Sequence, residues 1–110
     1  MSEIYREKLI EEIIFSLPSQ KIEFLENEFF SSKGFKEFLK NEELLLTIKE
    51  FLKNDLNVLK TSKKTFMHRN TLLYRIDKVK KLTGLDARCF EDAVVLEVLI
   101  NLNKIYKKDI

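Results

Sequence analysis

The amino-acid sequence predicts an all-α fold, a helical bundle with short connections, from three observations. The 110 residues contain two Gly and one Pro, so few positions break a helix. Leu, Ile, Lys and Glu are abundant along the chain. Apolar residues recur in most segments at the three- and four-residue spacing of one helix face. At this length we expect one core rather than two independent ones.

The net charge of +2 conceals an uneven distribution along the chain. Residues 1–56 carry 8 Lys or Arg and 12 Asp or Glu, a net charge of −4. Residues 57–81 carry 8 Lys or Arg against Asp77 alone, a net charge of +7, and residues 82–110 carry 4 against 5. Positive charge is therefore concentrated in one segment, a pattern that favours contact with a polyanion.

The scarcity of metal-binding and nucleophilic residues excludes several kinds of site. Cys89 and His68 are the only residues of their types, which excludes an intramolecular disulfide, a thiolate metal cage and a two-histidine metal site. We find no nucleophile–base pair and no glycine-rich phosphate loop, so we expect neither enzymatic activity nor a cofactor. The charged start of the chain does not resemble a signal peptide, and no apolar stretch approaches the roughly 20 residues of a membrane span. We expect a cytoplasmic protein without membrane contact.

Three helices are predicted in the N-terminal part. Apolar spacing predicts a first helix over about 3–16, which ends before Pro18. Ser19 is expected to cap a second helix. The run 31–34 is expected to form a turn, and a short helix then ends near Asn41.

Two short connections organise the next three helices. Asn41 is expected to cap a helix over about 42–54, and the polar residues that close this helix also cap a short one over 58–65. A tight turn at 66–68 leads into a basic helix over about 69–82. A short helix, a three-residue turn and a longer basic helix together predict a helix-turn-helix.

The basic helix ends at a clear stop signal. Gly84 suits the left-handed position after a helix, with Leu85 as its hydrophobic partner. Cys89 stands before the last helix, about 90–106, where it is a poor cap. The apolar residues expected on the face of this last helix are Phe90, Val94, Val95, Val98, Leu99, Leu102 and Ile105.

The basic helix is expected to have an apolar and a polar face. Its apolar face consists of Leu72, Ile76, Val79 and Thr83, with Leu82 at the flank. Its opposite face consists of Asn70, Tyr74, Asp77 and Lys81, with Leu73 and Lys78 at the edges. Docked by the apolar face, such a helix presents its N-terminal end to the major groove of DNA.

The side chains near that end match the chemistry of double-stranded DNA. Arg69 suits bidentate contact with guanine, and Asn70 suits adenine or the backbone. His68 can donate to a base or a phosphate, and Leu73 lies at the edge of the same surface. The hydroxyl and cationic side chains suited to phosphate contact are Thr71, Tyr74, Lys63, Lys64, Arg75, Lys78 and Lys81.

Each of these residues also has a plainer structural interpretation. His68 can serve simply as a helix cap, and Asn70 and Thr71 can be ordinary first-turn residues. The run 78–81 can be a solvated helix face. Their joint placement after a short helix and a tight turn favours DNA binding.

Residues about 42–105 resemble the C-terminal helix-turn-helix domain of the PucR/CdaR transcription regulators. The part from Asn57 to Leu72 is also similar to the Fis-type helix-turn-helix. Residues about 5–40 more loosely resemble the helical segment that precedes this domain. The segments that carry the main resemblance are Leu44–Leu45, Ile48, Phe51–Leu52, Asn57–Val58, Phe66 to Leu72, Tyr74 to Ile76, Leu82 to Arg88, Glu91–Asp92 and Leu96–Glu97.

The resemblance implies sequence-specific binding of double-stranded DNA, usually as a homodimer, with the helix from Arg69 as the reader. The residues that match in place are His68, Arg69, Asn70, Thr71, Tyr74 and Arg75. This chain departs at Ser62, where alanine is usual, at 89–90, where an acidic cap and proline are common, and at the basic pair 63–64. No small-molecule sensor domain is evident in the chain.

We therefore predict a helical bundle containing a helix-turn-helix DNA-binding motif. An N-terminal helical segment, 1–41, packs on the core and offers a candidate dimer surface, and the DNA-binding domain spans 42–110, the two forming one compact unit. The predicted function is sequence-specific DNA binding in transcription regulation, with the recognition helix, about 69–82, in the major groove. The alternative is a helical protein–protein interaction module, a truncated regulator that acts by heterodimerisation.

Overall fold

The structure is a computed structural model that describes residues 2–106. Over this range the chain forms seven α-helices and no strand, which confirms the all-α prediction. Six helices begin and end within about one residue of the predicted positions, and the third begins inside the predicted turn. None of the helices in the described range is long and apolar enough to cross a membrane. In chain order they are α1 (Glu3–Phe15), α2 (Ser19–Phe29), α3 (Lys33–Lys40), α4 (Glu42–Lys53), α5 (Val58–Thr65), α6 (Arg69–Thr83) and α7 (Phe90–Ile105).

Side-chain caps fix where several helices begin. Asn41 Oδ1 accepts a hydrogen bond from the Leu44 N–H at 3.0 Å, and Asn57 Oδ1 accepts one from the Lys60 N–H at 2.8 Å. Both predicted caps are confirmed. The predicted cap at Ser19 is wrong, because extended Pro18 occupies the cap position and the serine is already the first helical residue.

The predicted turn at 31–34 is wrong in its second half. Ser32 Oγ accepts a hydrogen bond from the Phe35 N–H at 3.1 Å, so α3 begins at Lys33 and includes Gly34. A Cβ atom at Gly34 would lie 2.0 Å from the Leu82 carbonyl oxygen. The glycine therefore allows α3 to pack closely against the C-terminal end of α6, and it does not form a turn.

The core lies around the inner face of α6, between α3, α4 and α7. Leu72, Ile76 and Val79 are fully buried, which confirms most of the predicted apolar face, while Thr83 is half-buried. The other buried members of this core are Phe35, Phe38, Leu44, Ile48, Phe51, Ala87, Leu96, Leu99 and Ile100.

The predicted face of α7 is wrong for four residues. The structure buries Leu99 and Leu102 as expected. Its other buried residues are Ala93, Leu96 and Ile100, so the helix is turned away from the predicted stripe. Because α7 is apolar on most of its surface, its residue spacing alone does not fix which side meets the core. The four predicted residues that remain exposed are Phe90, Val94, Val95 and Val98.

Helix α1 packs on α7 through a narrow contact. Ile14 is buried, and its carbonyl oxygen accepts a hydrogen bond from the Tyr106 hydroxyl at 3.4 Å. An ion pair joins Glu11 and Lys104 at 3.7 Å. The outer apolar residues of α1 remain exposed, among them Tyr5, Leu9 and Ile13.

A left-handed turn links α4 to α5 and so sets the position of the helix-turn-helix. Asp55 and Leu56 both have positive φ, 62° and 56°, and the Leu56 N–H donates to the Phe51 carbonyl at 3.1 Å. This bond is the six-residue closure of a Schellman motif, with aspartate in the place of the usual glycine. Each left-handed residue of this kind costs on the order of 1 kcal/mol.

The connection from α6 to α7 is held by an arginine clamp. Gly84 adopts φ 78°, as predicted, and its N–H donates to the Lys80 carbonyl at 2.8 Å. Arg88 Nε donates to Asp86 Oδ1 at 2.9 Å, and Arg88 Nη2 donates to Asp77 Oδ1 of α6 at 2.8 Å. Cys89 makes no side-chain cap bond, as expected.

Replacing Asp86 with asparagine is expected to lower stability in a pH-dependent way. The hydrogen bonds from Arg88 hold the pKa of the Asp86 carboxyl below its ordinary value. A lowered pKa in the folded state stabilises the protein above the unfolded-state pKa, about 3.9, and this contribution disappears as the pH falls through the folded-state pKa. In urea unfolding at pH 7, the free energy of unfolding of Asp86→Asn should be about 1 kcal/mol lower than that of the wild type. The two proteins should converge as the pH falls below about 3.9 and through the folded-state pKa of Asp86. A difference that stays the same as the pH falls would contradict this account.

Candidate nucleic-acid interface

Helices α5 and α6 are joined by a three-residue turn, Phe66 to His68, that is fixed by side chains of α5. Thr65 Oγ1 accepts a hydrogen bond from the Met67 N–H at 3.3 Å. The Ser62 hydroxyl donates to the Met67 carbonyl at 2.6 Å. Ser62, which stands where alanine is usual, therefore anchors the turn.

The two residues at the start of this turn lie in opposite environments. Met67 packs against the core. Phe66 has φ 56° and is 95% exposed. Met67 thus anchors the turn to the core, while the Phe66 ring is exposed to solvent close to the start of α6 in the sequence.

His68 caps α6 with one of its two ring nitrogens. Its Nδ1 accepts a hydrogen bond from the Asn70 N–H at 3.0 Å. The structural interpretation of this histidine as a cap is therefore confirmed. An accepting Nδ1 carries no proton, so the neutral ring has its N–H at Nε2, which leaves a donor for a ligand. Capping and ligand contact are thus compatible in the same side chain.

The first turn of α6 is open to solvent. His68, Arg69, Asn70 and Thr71 are all exposed, and Tyr74 one turn later is 68% exposed. The free N–H groups and the positive end of the helix dipole favour an anion at such an end. Leu73 is half-buried at the edge of this surface, as its predicted position at the edge of the polar face suggests.

Unpaired cations lie on α5 and along α6. Five of the six predicted cationic contact residues form no ion pair within residues 2–106. By contrast, Lys60 pairs with Asp55 at 2.6 Å and Lys80 pairs with Asp86 at 3.8 Å, and neither lysine was predicted to contact DNA. The unpaired cations are Lys63, Lys64, Arg69, Lys78 and Lys81, and Lys78 alone among them is half-buried.

The sixth cation, Arg75, is not brought together with the others. It is half-buried, and its Nη1 donates to the Thr47 hydroxyl of α4 at 3.2 Å. Its Nη2 lies 3.5 Å from the Glu43 carboxylate. Arg75 therefore ties α6 to α4. Its place in the sequence, three residues after buried Leu72, is the signal that indicates this inward direction.

The one acidic residue on the outer face of α6 is neutralised by its surroundings. Asp77 accepts a hydrogen bond from Arg88 at 2.8 Å, within an ion pair that links α6 to the following loop. This pairing weakens the repulsion that a lone carboxylate would exert on a phosphate backbone. Sequence reasoning placed Asp77 on this face but did not identify its partner, which is eleven residues away.

Comparisons with known proteins point to one family. Residues 44–102 match the family described as the PucR C-terminal helix-turn-helix domain. The carbohydrate diacid regulator of Escherichia coli (strain K12) is 40% identical over 58 residues, which are 53% of this chain and 15% of that protein. The protein YxkF of Bacillus subtilis (strain 168) is 43% identical over 58 residues, 53% of this chain and 20% of that protein.

A longer but weaker similarity includes the N-terminal helices. The purine catabolism regulatory protein of Bacillus subtilis (strain 168) is 24% identical over 103 residues, 94% of this chain and 19% of that protein. The chain thus spans a fifth or less of the length of these relatives. No solved structure matches it.

Proposed function

The chain belongs to the family of the PucR C-terminal helix-turn-helix domain, and on that premise we propose that it binds double-stranded DNA with sequence specificity in transcription regulation. The observation that carries this proposal is the open N-terminal end of α6, together with the unpaired cations on α5 and along α6. A helix docked by a buried apolar face, with its amino end exposed, has the geometry of a recognition helix in the major groove.

Base reading is assigned to the first turn of α6. Arg69 contacts guanine through its two parallel N–H donors, and Asn70 contacts adenine or the backbone. His68 donates from Nε2 while its Nδ1 caps the helix. These residues combine a fixed backbone with free donor groups, and base-edge contact requires both.

Phosphate contact is assigned to cations and hydroxyls of α5 and α6, because such contacts fix the register of a helix on DNA. Arg75 contributes chiefly by holding α6 against α4. Leu73 lies at the edge of the proposed DNA-contacting surface. The phosphate-contacting residues are Lys63, Lys64, Thr71, Tyr74, Lys78 and Lys81.

The functional unit is proposed to be a homodimer of this chain. Two copies related by a two-fold axis place their α6 helices about 34 Å apart, in successive major grooves on one side of the duplex. The exposed apolar residues of α1, which include Leu9 and Ile13, support the segment 1–41 as the surface for the second copy. That segment and 42–110 then act as one unit without catalytic activity. The same exposed α1 face favours the second candidate function, heterodimerisation with a longer relative.

Selection of bound duplexes from a random pool, followed by affinity measurements at several salt concentrations, tests this proposal. We expect an enriched sequence with two half-sites about one helical turn apart. Five unpaired cations should give each protomer a log–log salt slope of about −4 to −5. Lys63→Ala and Lys64→Ala should each reduce the slope by about 0.9.

Lys60→Ala and Lys80→Ala are the matched controls, because these lysines lie on the same two helices but already have carboxylate partners. They should change the slope much less. A selection that enriches no sequence, or a slope equally affected by all four lysines, would contradict the proposed surface.

A further inference from the structure

Phe66 combines a left-handed backbone, which ends α5 at its C-cap, with a side chain that packs against nothing in the core. Its φ of 56° lies in the left-handed region, and its side chain is 95% exposed. The turn of a helix-turn-helix often contains glycine, which adopts this conformation without strain. A large apolar ring held in solvent at a strained position contributes little to the core, so its contribution is expected outside the protein.

The ring is held there by a rigid turn. The N–H and the carbonyl of the next residue, Met67, are both hydrogen-bonded to side chains of α5. The Met67 side chain packs against the core. Since the backbone on the following side of Phe66 is fixed in this way, the point from which the ring leaves the chain, three residues before Arg69, is also fixed.

The charges around Phe66 indicate which partner it meets. Within three residues of it along the chain are Lys63, Lys64 and Arg69, exposed cations that have no ion-pair partner among residues 2–106. An apolar protein patch would leave these cations poorly solvated, whereas DNA offers phosphates to them and an apolar group to the ring. That apolar group is the 5-methyl group of thymine in the major groove.

We propose that Phe66 makes an apolar contact with the 5-methyl group of a thymine beside the bases that Arg69 and Asn70 read. This inference rests on the proposed function, because it requires α6 in the major groove. It makes the turn, as well as the helix, a determinant of sequence specificity.

The test combines substitutions in the protein and in the DNA. The probe is the duplex enriched from the random pool, with each thymine replaced in turn by deoxyuridine, which removes only the methyl group. For the wild type we expect a loss of about threefold to tenfold at one thymine. Phe66→Gly should bind the unmodified duplex more weakly by a similar factor and show no further loss at that position.

Phe66→Gly is well suited to this test because glycine relieves the left-handed strain. Its thermal stability should equal or exceed that of the wild type, whereas a structural role for the ring predicts a loss. Phe66→Asn is the second variant, since asparagine also tolerates this conformation. Unfolding of both variants would overturn the proposal.

The remaining outcomes separate this contact from the proposed function. If Phe66→Gly and Phe66→Asn bind as tightly as the wild type while Arg69→Ala binds weakly, the contact is refuted and the proposed function stands. A weaker Phe66→Gly with no thymine sensitive to deoxyuridine refutes the methyl contact in favour of another part of the DNA. If the wild type enriches no duplex, the proposed function fails, and this contact with it.

Discussion

Replacing Gly34 with alanine is expected to lower the free energy of unfolding by about 2–3 kcal/mol. The added Cβ would lie 2.0 Å from the carbonyl oxygen of Leu82, which is backbone and cannot rotate away. Helix α3 would have to move off the C-terminal end of α6. In an unstrained helix the same change would stabilise the protein by about 1 kcal/mol, so the sign of the effect tests the packing.

Thermal unfolding measures this effect, with an expected fall in Tm of about 10–20 °C. Lys36→Ala is the matched control, because Lys36 is exposed on the same helix and its substitution should change stability by no more than about 0.5 kcal/mol. A Gly34→Ala protein as stable as the wild type would show that α3 does not approach α6 so closely. Displacement of α6 should also weaken DNA binding, since its C-terminal half sets the angle of its exposed end.

Replacing Arg69 with alanine is expected to weaken binding to the enriched duplex about 10-fold to 100-fold and to relax the preference at one base pair. Arg69 is exposed and has no ion-pair partner in the described part of the chain. The free energy of unfolding should therefore stay within about 0.5 kcal/mol of the wild-type value. Arg69→Lys keeps the charge but loses the bidentate fork, so it should restore non-specific affinity without the base preference.

Arg75→Ala is the informative control, because Arg75 lies six residues further along the same helix. Its contacts with Thr47 and Glu43 predict a loss of about 1 kcal/mol in the free energy of unfolding and little change in base preference. Fluorescence anisotropy with duplexes altered at one base pair at a time distinguishes the two arginines. If Arg75→Ala relaxed the base preference and Arg69→Ala only lowered stability, the assigned roles would be reversed.

Local signals in the sequence were sufficient for most of the helices and their ends, though not for the cap of α2 or the start of α3. Asn41, Asn57 and Gly84 act as predicted because caps depend on a few neighbouring residues. The resemblance to the PucR C-terminal helix-turn-helix domain is also confirmed. The assignment of individual DNA contacts stays a prediction, although the exposed, unpaired cations are compatible with it.

Features that depend on contacts between distant residues could not be predicted in the same way. The local sequence around Gly34 predicts a turn, whereas the close approach that requires a glycine there involves the carbonyl of Leu82, 48 positions away. The buried side of α7 depends on where α1 and α4 pack, since the helix itself is apolar on most sides. The position of Arg75 three residues after Leu72 indicates its inward direction, but its acceptors lie in α4, 28 and 32 residues earlier.

The shared use of the His68 ring constrains how this protein can acquire a new target sequence. A side chain at that position that cannot both cap α6 and donate outward changes the start of the helix and a candidate DNA contact together, so variation there is coupled to folding. The side chains at positions 69 and 70 do not cap the helix, so they can change without this effect on folding. Engineered or natural variants with altered operators should therefore keep a capping and donating side chain at position 68 and change the two residues after it.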